Sequence, residues 1–287
     1  MGEKFVAFQG EPGAYSEAAA LEFFPSKIET VPFHSFGDVF NAVENKKCTH
    51  GLLPIENSLA GSIHRNYDLM LRHNLHIIGE YHYRVKHCLL GLPGAALDDI
   101  KQVHSHPQAL AQCEASLSKL QIERVPEADT AGSARMLSEK RDIHAGALAS
   151  KHAAEVYGLE VLAEDLEDNP ENYTRFLALA THTIPMDETN REEYKTSIVF
   201  SLQNKPGSLF KALSVFALRD IDLTKIESRP IQGKPWEYLF YIDFIGHISD
   251  FVPQRAMEHL QELASFLRVL GSYPRHQISI NNNDITN

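Results

Sequence analysis

Short apolar runs of strand type alternate with helical runs along the first two thirds of the chain. "KFVAFQG" and "GLLPIENS" are typical of strands, whereas "PGAYSEAAALEFF" and "AGSIHRNYDLMLRH" are typical of helices. The alternation continues through "KQVHSHPQALAQCEASLSKL", "EADTAGSARMLSEK" and "AGALASKHAAEVYG". It predicts parallel sheets joined by right-handed crossovers. One longer β-rich run, "HIIGEYHYRVKHCLLGL", predicts a strand that crosses between two lobes.

The junctions between these strands and helices carry small polar residues. Pro107 suits the first position of a helix, and Asp129 or Thr130 and then Ser150 suit N-caps. Taken singly, each junction fits an ordinary helix cap. In parallel α/β sheets, however, ligands bind beyond the carboxyl ends of strands, beside helix N-termini. The junctions together therefore predict a cleft that binds an anion, lined from Gly13, Tyr15, Ser16, Asn57, Ser58, Gly61, Ser62, Ser105, His106, Thr130 and Ser133.

The last third of the chain has a different order of elements. Residues 181–194 are polar and charged, which predicts a linker. After it come the strand "KTSIVFSL", the helix in "PGSLFKALSVFALRD", the strands "IDLTKIESRPI" and "EYLFYIDFIGH", the helix in "DFVPQRAMEHLQELASF" and the strand "LRVLGSY". The order βαββαβ predicts a ferredoxin-like fold. The terminal "HQISINNNDITN" is poor in apolar residues and predicts a frayed tail.

Composition and charge narrow the classes of function. Of the residues, 43% are hydrophobic and 23% charged, as in soluble globular proteins. No window approaches the ~18 apolar residues of a membrane helix, and "MGEKFVAFQG" has no apolar signal core. We therefore expect a cytoplasmic protein. A net charge of −11 argues against binding to nucleic acid or to a membrane.

Motifs for metal, nucleotide or covalent chemistry are missing from the sequence. The 3 cysteines lie far apart without a CxxC, and the 15 histidines include no HExxH. "GEPGAYSE" fits neither a dinucleotide fingerprint nor a phosphate loop, and no GxSxG elbow occurs. We expect neither a metal nor a cofactor.

Several segments, taken together, resemble the prephenate dehydratase family. They are "QGEPGAYSEAAA", "PIENSLAGSIHRNYDLML", "SHPQALAQC", "DTAGSA" and "NYTRF", in the order that is usual for the family. "PGSLFKAL" and "KIESRP" are similar to the effector motifs of an ACT regulatory domain. The resemblance covers about residues 4–275.

One departure is Gly207-Ser208-Leu209, where Gly-Ala-Leu is usual, and it predicts at most an altered effector affinity. No chorismate mutase segment precedes Phe5, so we do not expect the fused bifunctional form.

The resemblance implies an α/β catalytic domain of two lobes, resembling type II periplasmic binding proteins, followed by an α+β ferredoxin-like βαββαβ ACT domain. The expected boundaries are 1–182 for the catalytic domain, with a hinge near 79–88 and 166–176, and 183–194 for the linker. The ACT domain is expected at 195–275 and a flexible tail at 276–287.

The implied activity is the decarboxylating dehydration of prephenate to phenylpyruvate, in phenylalanine biosynthesis. L-Phenylalanine is the implied allosteric effector at the ACT domain, and the implied assembly is a homo-oligomer, a tetramer built as a dimer of dimers. No nucleic acid or membrane partner is expected. Arogenate dehydratase is the alternative activity, and a small-molecule receptor without catalysis is a more distant one.

The resemblance also assigns residues. Thr174 and Arg175 form the implied catalytic pair on a strand that crosses between the lobes. Thr174 would donate a hydrogen bond to the departing hydroxyl, and the planar fork of Arg175 would bind a carboxylate. Glu56 and His106 are candidate proton sources, although Glu56 also fits a solvated loop carboxylate. The implied substrate-binding residues are Asn57, Ser58, Gly61, Ser62, Gln108, Thr130, Ser133 and Phe176. The implied effector-binding residues are Gly207, Ser208, Leu209, Asp222, Leu223, Glu227, Ser228 and Arg229.

Overall fold

The structure, a computed structural model, describes residues 4–24, 27–187 and 193–277. The chain divides into two compact units, Met1–Leu69 with His82–Phe176, and Met70–Tyr81 with Leu177–Asn287. We call them the first and the second unit. The predicted tail from residue 278 onward lies outside the described residues, as do residues 188–192 of the predicted linker.

The first sheet has the strand order β2-β1-β3-β11-β5, with the short β4 beside β3. Strands β1 and β2 are parallel, as are β1 and β3. The apolar centre of β1, Val6-Ala7-Phe8, is fully buried, as expected for a strand covered by helices on both faces. The elements are β1 (Lys4–Gln9), α1 (Tyr15–Phe23), β2 (Ile28–Phe33), α2 (Phe36–Glu44), β3 (His50–Asn57), β4 (Gly61–Ser62), α3 (His64–Arg72), β5 (His76–Arg84) and β11 (Tyr173–Ala180).

The second sheet has the order β10-β6-β9-β7-β8, and all of it lies in the first unit. Strand β7 is parallel to β8 and β9, whereas β6 is antiparallel to β9 and β10. The elements are β6 (Cys88–Gly91), a 3-10 turn (Leu97–Asp99), β7 (Gln102–Ser105), α4 (Pro107–Gln112), α5 (Glu114–Lys119), β8 (Glu123–Pro126), α6 (Thr130–Lys140), β9 (Ala145–Ala149), α7 (Lys151–Tyr157) and β10 (Glu160–Ala163).

The chain passes twice between these two sheets. The first passage, residues 85–87, joins β5 to β6, and the second, residues 164–172, joins β10 to β11. The run "HIIGEYHYRVKHCLLGL" is therefore two strands, β5 and β6, and the prediction of one continuous crossing strand is wrong. The break falls at Val85-Lys86-His87, where the backbone bonds to Asn172 and Leu166 instead of to a sheet neighbour.

The third sheet has the order β13-β14-β12-β15 and lies in the second unit. Its elements are β12 (Tyr194–Leu202), α8 (Ser208–Ala217), β13 (Leu223–Pro230), β14 (Tyr238–Ile245), α9 (Phe251–Leu263) and β15 (Ala264–Pro274). The two helices and one face of the sheet form a single apolar core that includes Ile198, Phe200, Phe216, Ile242 and Leu260. This arrangement confirms the predicted ferredoxin-like βαββαβ fold, and the two α/β sheets confirm the predicted lobed α/β domain.

Helix starts follow the predicted caps. Helix α4 begins at Pro107, Asp129 caps α6 by accepting from Gly132 N at 2.6 Å, and Ser150 caps α7 by accepting from Ala153 N at 3.0 Å. Among the described residues, no helix has the length and apolar character needed to cross a membrane.

Candidate active site

A cavity of about 350 Å³ lies in the first unit, where several strands of both sheets end. It is lined from the ends of β1 and β3, from the first turns of α1, α4 and α6, and from β11. Its size is that of a small-molecule site. The location agrees with the rule that α/β sheets bind ligands beyond the carboxyl ends of their strands.

Asn57, the last residue of β3, is fixed in this cavity by the turn that follows it. The backbone N–H groups of Leu59 and Ala60 donate to Asn57 Oδ1 at 3.1 and 2.9 Å. Since the oxygen of the amide faces these donors, its nitrogen must face the other way. Asn57 Nδ2 donates to Thr174 Oγ1 at 3.0 Å and to Asn172 Oδ1 at 2.8 Å.

The hydroxyl of Thr174 is therefore set up as a donor. Its oxygen accepts from Asn57, and an amide NH₂ group cannot accept in return. The hydroxyl hydrogen is consequently available to a ligand in the cavity. Thr174 is only 9% exposed, so little water competes for this hydrogen.

Strand alternation separates the predicted catalytic pair. Thr174 and Phe176 line the cavity, whereas Arg175 between them is buried but does not line it. Neighbouring residues on a strand point to opposite faces, which accounts for the difference. The role of Arg175 as a carboxylate clamp stays a prediction.

Most of the predicted substrate-binding residues lie together. Asn57, Gly61, Ser62, Gln108, Thr130 and Phe176 line the cavity. The other two bond backbone carbonyls: Ser58 Oγ donates to Glu171 O, distant in sequence, at 2.7 Å, and the buried Ser133 donates to Asp129 O, one helical turn away, at 2.7 Å. Of the candidate proton sources, His106 lines the cavity and Glu56 does not.

Four cavity residues stand out that the predicted binding set lacks: Tyr15, His87, Gln112 and Asn172. Tyr15 was among the polar junction residues, Gln112 is the last residue but one of the segment "SHPQALAQC", and Asn172 begins "NYTRF". The sequence therefore carried a signal for three of them. His87 lies in the first passage between the sheets, and no sequence motif distinguished it from the other histidines.

The electrostatics of the cavity are those of a largely uncharged site. Burial raises the pKa of Tyr15 well above its usual range and lowers the pKa of His87, so both groups are neutral. Asp129 is the one carboxylate among the described lining residues. Burial raises the pKa of the Cys88 thiol to about 11 and that of Cys113 further, which makes both unreactive.

The predicted effector residues fall into two groups at opposite ends of the third sheet. Gly207 caps α8 with φ of 81°, and Ser208 and Leu209 line a groove of about 110 Å³. Arg229 pairs with Leu239 beside this end, and Glu227 and Ser228 precede it on β13. Leu223 pairs with Phe244 at the far end of β13, and Asp222 there lines a separate cavity of about 360 Å³. Six strand residues span about 20 Å, so one small ligand cannot contact both groups within one chain.

Comparison with known proteins identifies the family models that match this chain and several of its relatives. The family model for prephenate dehydratase matches residues 6–184, and the model for the ACT domain matches residues 196–264. The chain is 53% identical to arogenate dehydratase/prephenate dehydratase 1, chloroplastic, of Arabidopsis thaliana, over 94% of this chain and 71% of that protein. It is 51% identical to arogenate dehydratase 2 of Petunia hybrida, over 94% and 71%.

Two solved structures are similar over nearly their full length. The prephenate dehydratase of Arthrobacter aurescens in complex with L-Phe has a TM-score of 0.86 and 32% identity, over 94% of this chain and 90% of that one. A protein described as GqqA, a novel type of quorum quenching acylase, has a TM-score of 0.89 and 35% identity, over 95% and 98%.

The predicted cytoplasmic location is wrong. Relatives at 48% to 53% identity are named chloroplastic, which contradicts the expectation. The expectation rested on the charge, the apolar content and the first ten residues. Those properties belong to the folded domains of a protein, whereas its location is determined by a targeting signal that a receptor recognises.

Proposed function

The chain belongs to the prephenate dehydratase family, and from this premise we propose that it converts prephenate to phenylpyruvate and is inhibited by L-phenylalanine at its ACT domain. The observation that carries the proposal is the hydrogen bond from Asn57 Nδ2 to Thr174 Oγ1, 3.0 Å long, at the wall of the cavity. It leaves the hydroxyl hydrogen of Thr174 free to meet an oxygen of the substrate.

The reaction requires two bonds of the substrate ring to break. The bond from the ring to its carboxylate breaks to release carbon dioxide, and the pair of electrons moves into the ring. The bond from the ring to the hydroxyl breaks at the opposite carbon, and the hydroxyl takes one proton and leaves as water. Aromatisation supplies the driving force. The protein has only to position the substrate and to stabilise the departing oxygen.

Thr174 is proposed to donate its hydrogen bond to that departing hydroxyl. An alcohol is a weak acid, so Thr174 acts as a positioned donor and not as the final source of the proton. His106, whose ring lines the cavity, is the proposed source in its protonated form, in which Nδ1 carries a hydrogen and gives up the bond that it accepts from Gln108 N in the neutral ring. Phe176, which is buried in the wall, provides apolar surface for the ring.

Arogenate is a second candidate substrate, and one feature of the cavity favours it. Arogenate carries an ammonium group where prephenate carries a ketone. Asp129 supplies a carboxylate to the cavity wall, and a carboxylate attracts an ammonium group but repels a dianion. The relative from Petunia is named arogenate dehydratase, and the relative from Arabidopsis is named for both activities.

The test is turnover of both substrates by the purified protein. Phenylpyruvate is followed by its ultraviolet absorbance in alkali, and phenylalanine formed from arogenate is followed by chromatography. We expect product from at least one substrate, with inhibition by added L-phenylalanine when prephenate is used. Turnover of neither substrate would overturn the proposed function.

Arg175 needs a separate test because it does not line the cavity. A clamp on a substrate carboxylate requires the bidentate fork of arginine, which lysine cannot reproduce. If Arg175 binds the substrate, Arg175→Lys raises KM at least several-fold at an unchanged melting temperature. An unchanged KM with a lower melting temperature would reject the clamp.

The ACT domain is proposed to bind L-phenylalanine between two copies of the chain. The two groups of predicted effector residues are too far apart to share one ligand within a chain, so a partner copy would complete each site. We propose a tetramer that is a dimer of dimers. Sedimentation with and without L-phenylalanine tests the assembly, and a protein that stays monomeric while still inhibited would reject it.

A further inference from the structure

A chain of side-chain hydrogen bonds continues from Thr174 and Asn57 to a buried histidine. Asn172 Nδ2 donates to Gln112 Oε1 at 3.1 Å, and His87 Nε2 lies 2.9 Å from the same oxygen. Asn172 is fully buried and His87 is 2% exposed. Water therefore has little access to either group, so the bonds that they make to each other decide their orientation.

The direction of every bond in this chain is determined by its anchored end. The backbone N–H groups of Leu59 and Ala60 fix the oxygen of Asn57, so its nitrogen faces Asn172. Asn172 must present its oxygen to Asn57, and its nitrogen then faces Gln112. Each amide thus sets the orientation of the next.

The same logic determines the tautomer of His87. Gln112 Oε1 already accepts from Asn172, and an oxygen can only accept, so His87 must carry a hydrogen on Nε2. The other ring nitrogen, Nδ1, lies 2.8 Å from the hydroxyl of Tyr15. The pKa of His87 is lowered by burial, so the ring is neutral and Nδ1 carries no hydrogen. The single hydrogen of the Tyr15 hydroxyl is then shared between Nδ1 and Lys86 O, which lies 2.9 Å away.

The ring has no freedom to leave this position. The backbone N–H of His87 donates to Glu167 Oε2 at 2.9 Å, and its carbonyl accepts from Leu166 N at 3.0 Å. The ring packs edge-on against Tyr15, with 5.5 Å between the ring centroids. His87 is therefore held both by its backbone and by both ring nitrogens.

We propose that His87 is a positioning residue for the dehydration: its Nε2–H fixes Gln112 at one end of the chain, as the backbone fixes Asn57 at the other, so that Asn172 between them keeps its oxygen toward the amide that bonds Thr174. This inference rests on the proposed function. Without the Nε2–H, the amide of Gln112 is free to turn its nitrogen toward Asn172. Two donors would then face each other, Asn172 would shift, and Asn57 Nδ2 would lose the Asn172 acceptor that helps to hold it beside Thr174.

Two variants of His87 separate this role from simple packing. His87→Leu deletes the donor, whereas His87→Gln places an amide nitrogen near the position of Nε2. We expect His87→Leu to lower kcat by about 10- to 100-fold, because small displacements of positioned groups cost that much, with KM within about threefold. His87→Gln should recover most of the loss. The matched control is His104→Leu, since His104 is a half-buried histidine that bonds Glu127 at 3.0 Å and does not line the cavity.

The outcomes distinguish the inference from the proposed function. If the wild type turns over neither substrate, the function is wrong. If the wild type is active and His87→Leu keeps its kcat, or if the glutamine and leucine variants lose activity equally, the inference is wrong.

Nitrogen-15 NMR of histidine-labelled protein gives a readout that does not depend on activity, with the signals of His87 identified by their loss in His87→Gln. A hydrogen on Nε2 and none on Nδ1 is expected, and the opposite tautomer would overturn the inference.

Discussion

Helix α1 places Tyr15 and Glu17 two residues apart, and each contacts a histidine in a different environment. Tyr15 contacts His87 at the cavity, and the ring of His87 is in turn hydrogen-bonded to the uncharged amide of Gln112. Glu17 Oε2 meets His152 Nε2 of α7 at 3.0 Å, away from the cavity lining. One contact is neutral and directional, and the other is an ion pair.

The two histidines have pKa values shifted in opposite directions. Burial lowers the pKa of His87. The hydrogen bond with Glu17 raises the pKa of His152, in spite of its partial burial. Burial alone would raise the pKa of Glu17, but hydrogen bonds from His152, Gly13 N and Thr30 lower it overall.

The difference teaches what each contact contributes. An amide chain transmits orientation, because a nitrogen can only donate and an oxygen can only accept. An ion pair attracts without such a rule, and it is accompanied here by other bonds between the two lobes. Ser150 Oγ donates to Gly13 O at 2.8 Å. A Cβ on Gly13 would lie 2.9 Å from the Cα of Ala153, so only glycine permits this close approach. On the proposed function, the contact of Tyr15 with His87 belongs to the network that positions the proposed catalytic groups, whereas the contact of Glu17 with His152 belongs to the bonds between the lobes.

Removing the donor at the cavity side should give the largest effect. Thr174→Val keeps the shape of the side chain and deletes the hydroxyl, so kcat should fall by roughly 10²- to 10³-fold, as for the loss of one transition-state donor. KM should stay within a few-fold, because the contact matters mainly in the transition state. Steady-state kinetics with both substrates provides the measurement. Recovery in Thr174→Ser would identify the hydroxyl, and a near-normal kcat in the valine variant would refute its role.

Removing the charge at the ion-pair side should affect stability more than catalysis. Glu17→Gln keeps the size of the side chain and should lower the free energy of unfolding at pH 6 by about 1–3 kcal/mol, the usual range for a buried hydrogen bond to a charged group. Urea unfolding measures the loss, and kcat should change far less than in Thr174→Val.

The control for this variant is Glu155→Gln. Glu155 lies 3.9 Å from the other nitrogen of His152, but its side chain is 73% exposed. Solvent screens such a pair, so the change should be within about 0.5 kcal/mol. Equal losses in the two variants would show that the burial of Glu17 is irrelevant.

The sequence predicted the fold better than it predicted the contacts that Tyr15 and Glu17 make. The alternation of apolar runs was enough for the lobed α/β fold and for the ferredoxin-like domain, because burial on one or both faces determines such patterns. The motif segments located Asn57 and Thr174. The chain of hydrogen bonds that continues from them to His87 was not predictable, because His87, Gln112 and Asn172 meet only through the fold. Glu17 and His152 are 135 positions apart in sequence, and no hydrophobic periodicity predicts that they pair.

The smallest expected effect is a difference in the pH dependence of stability. A histidine with a raised pKa stabilises the fold below its unfolded pKa of about 6.5, and this contribution is lost as the pH rises through the folded pKa. The free energy of unfolding of wild type should therefore exceed that of His152→Gln by less as the pH rises above about 6.5.

A histidine with a lowered pKa acts in the opposite sense, since the unfolded chain takes up the proton first as the pH falls below about 6.5. His87→Gln, which cannot take up a proton, should therefore gain stability relative to wild type as the pH falls below about 6.5. The titratable groups that face His87 are Tyr15 and Glu167, and both remain in the variant. Urea unfolding at a series of pH values measures both trends. Parallel curves for the two variants would mean that the two histidines do not hold opposite charge states, and the contrast between the two contacts of α1 would fail.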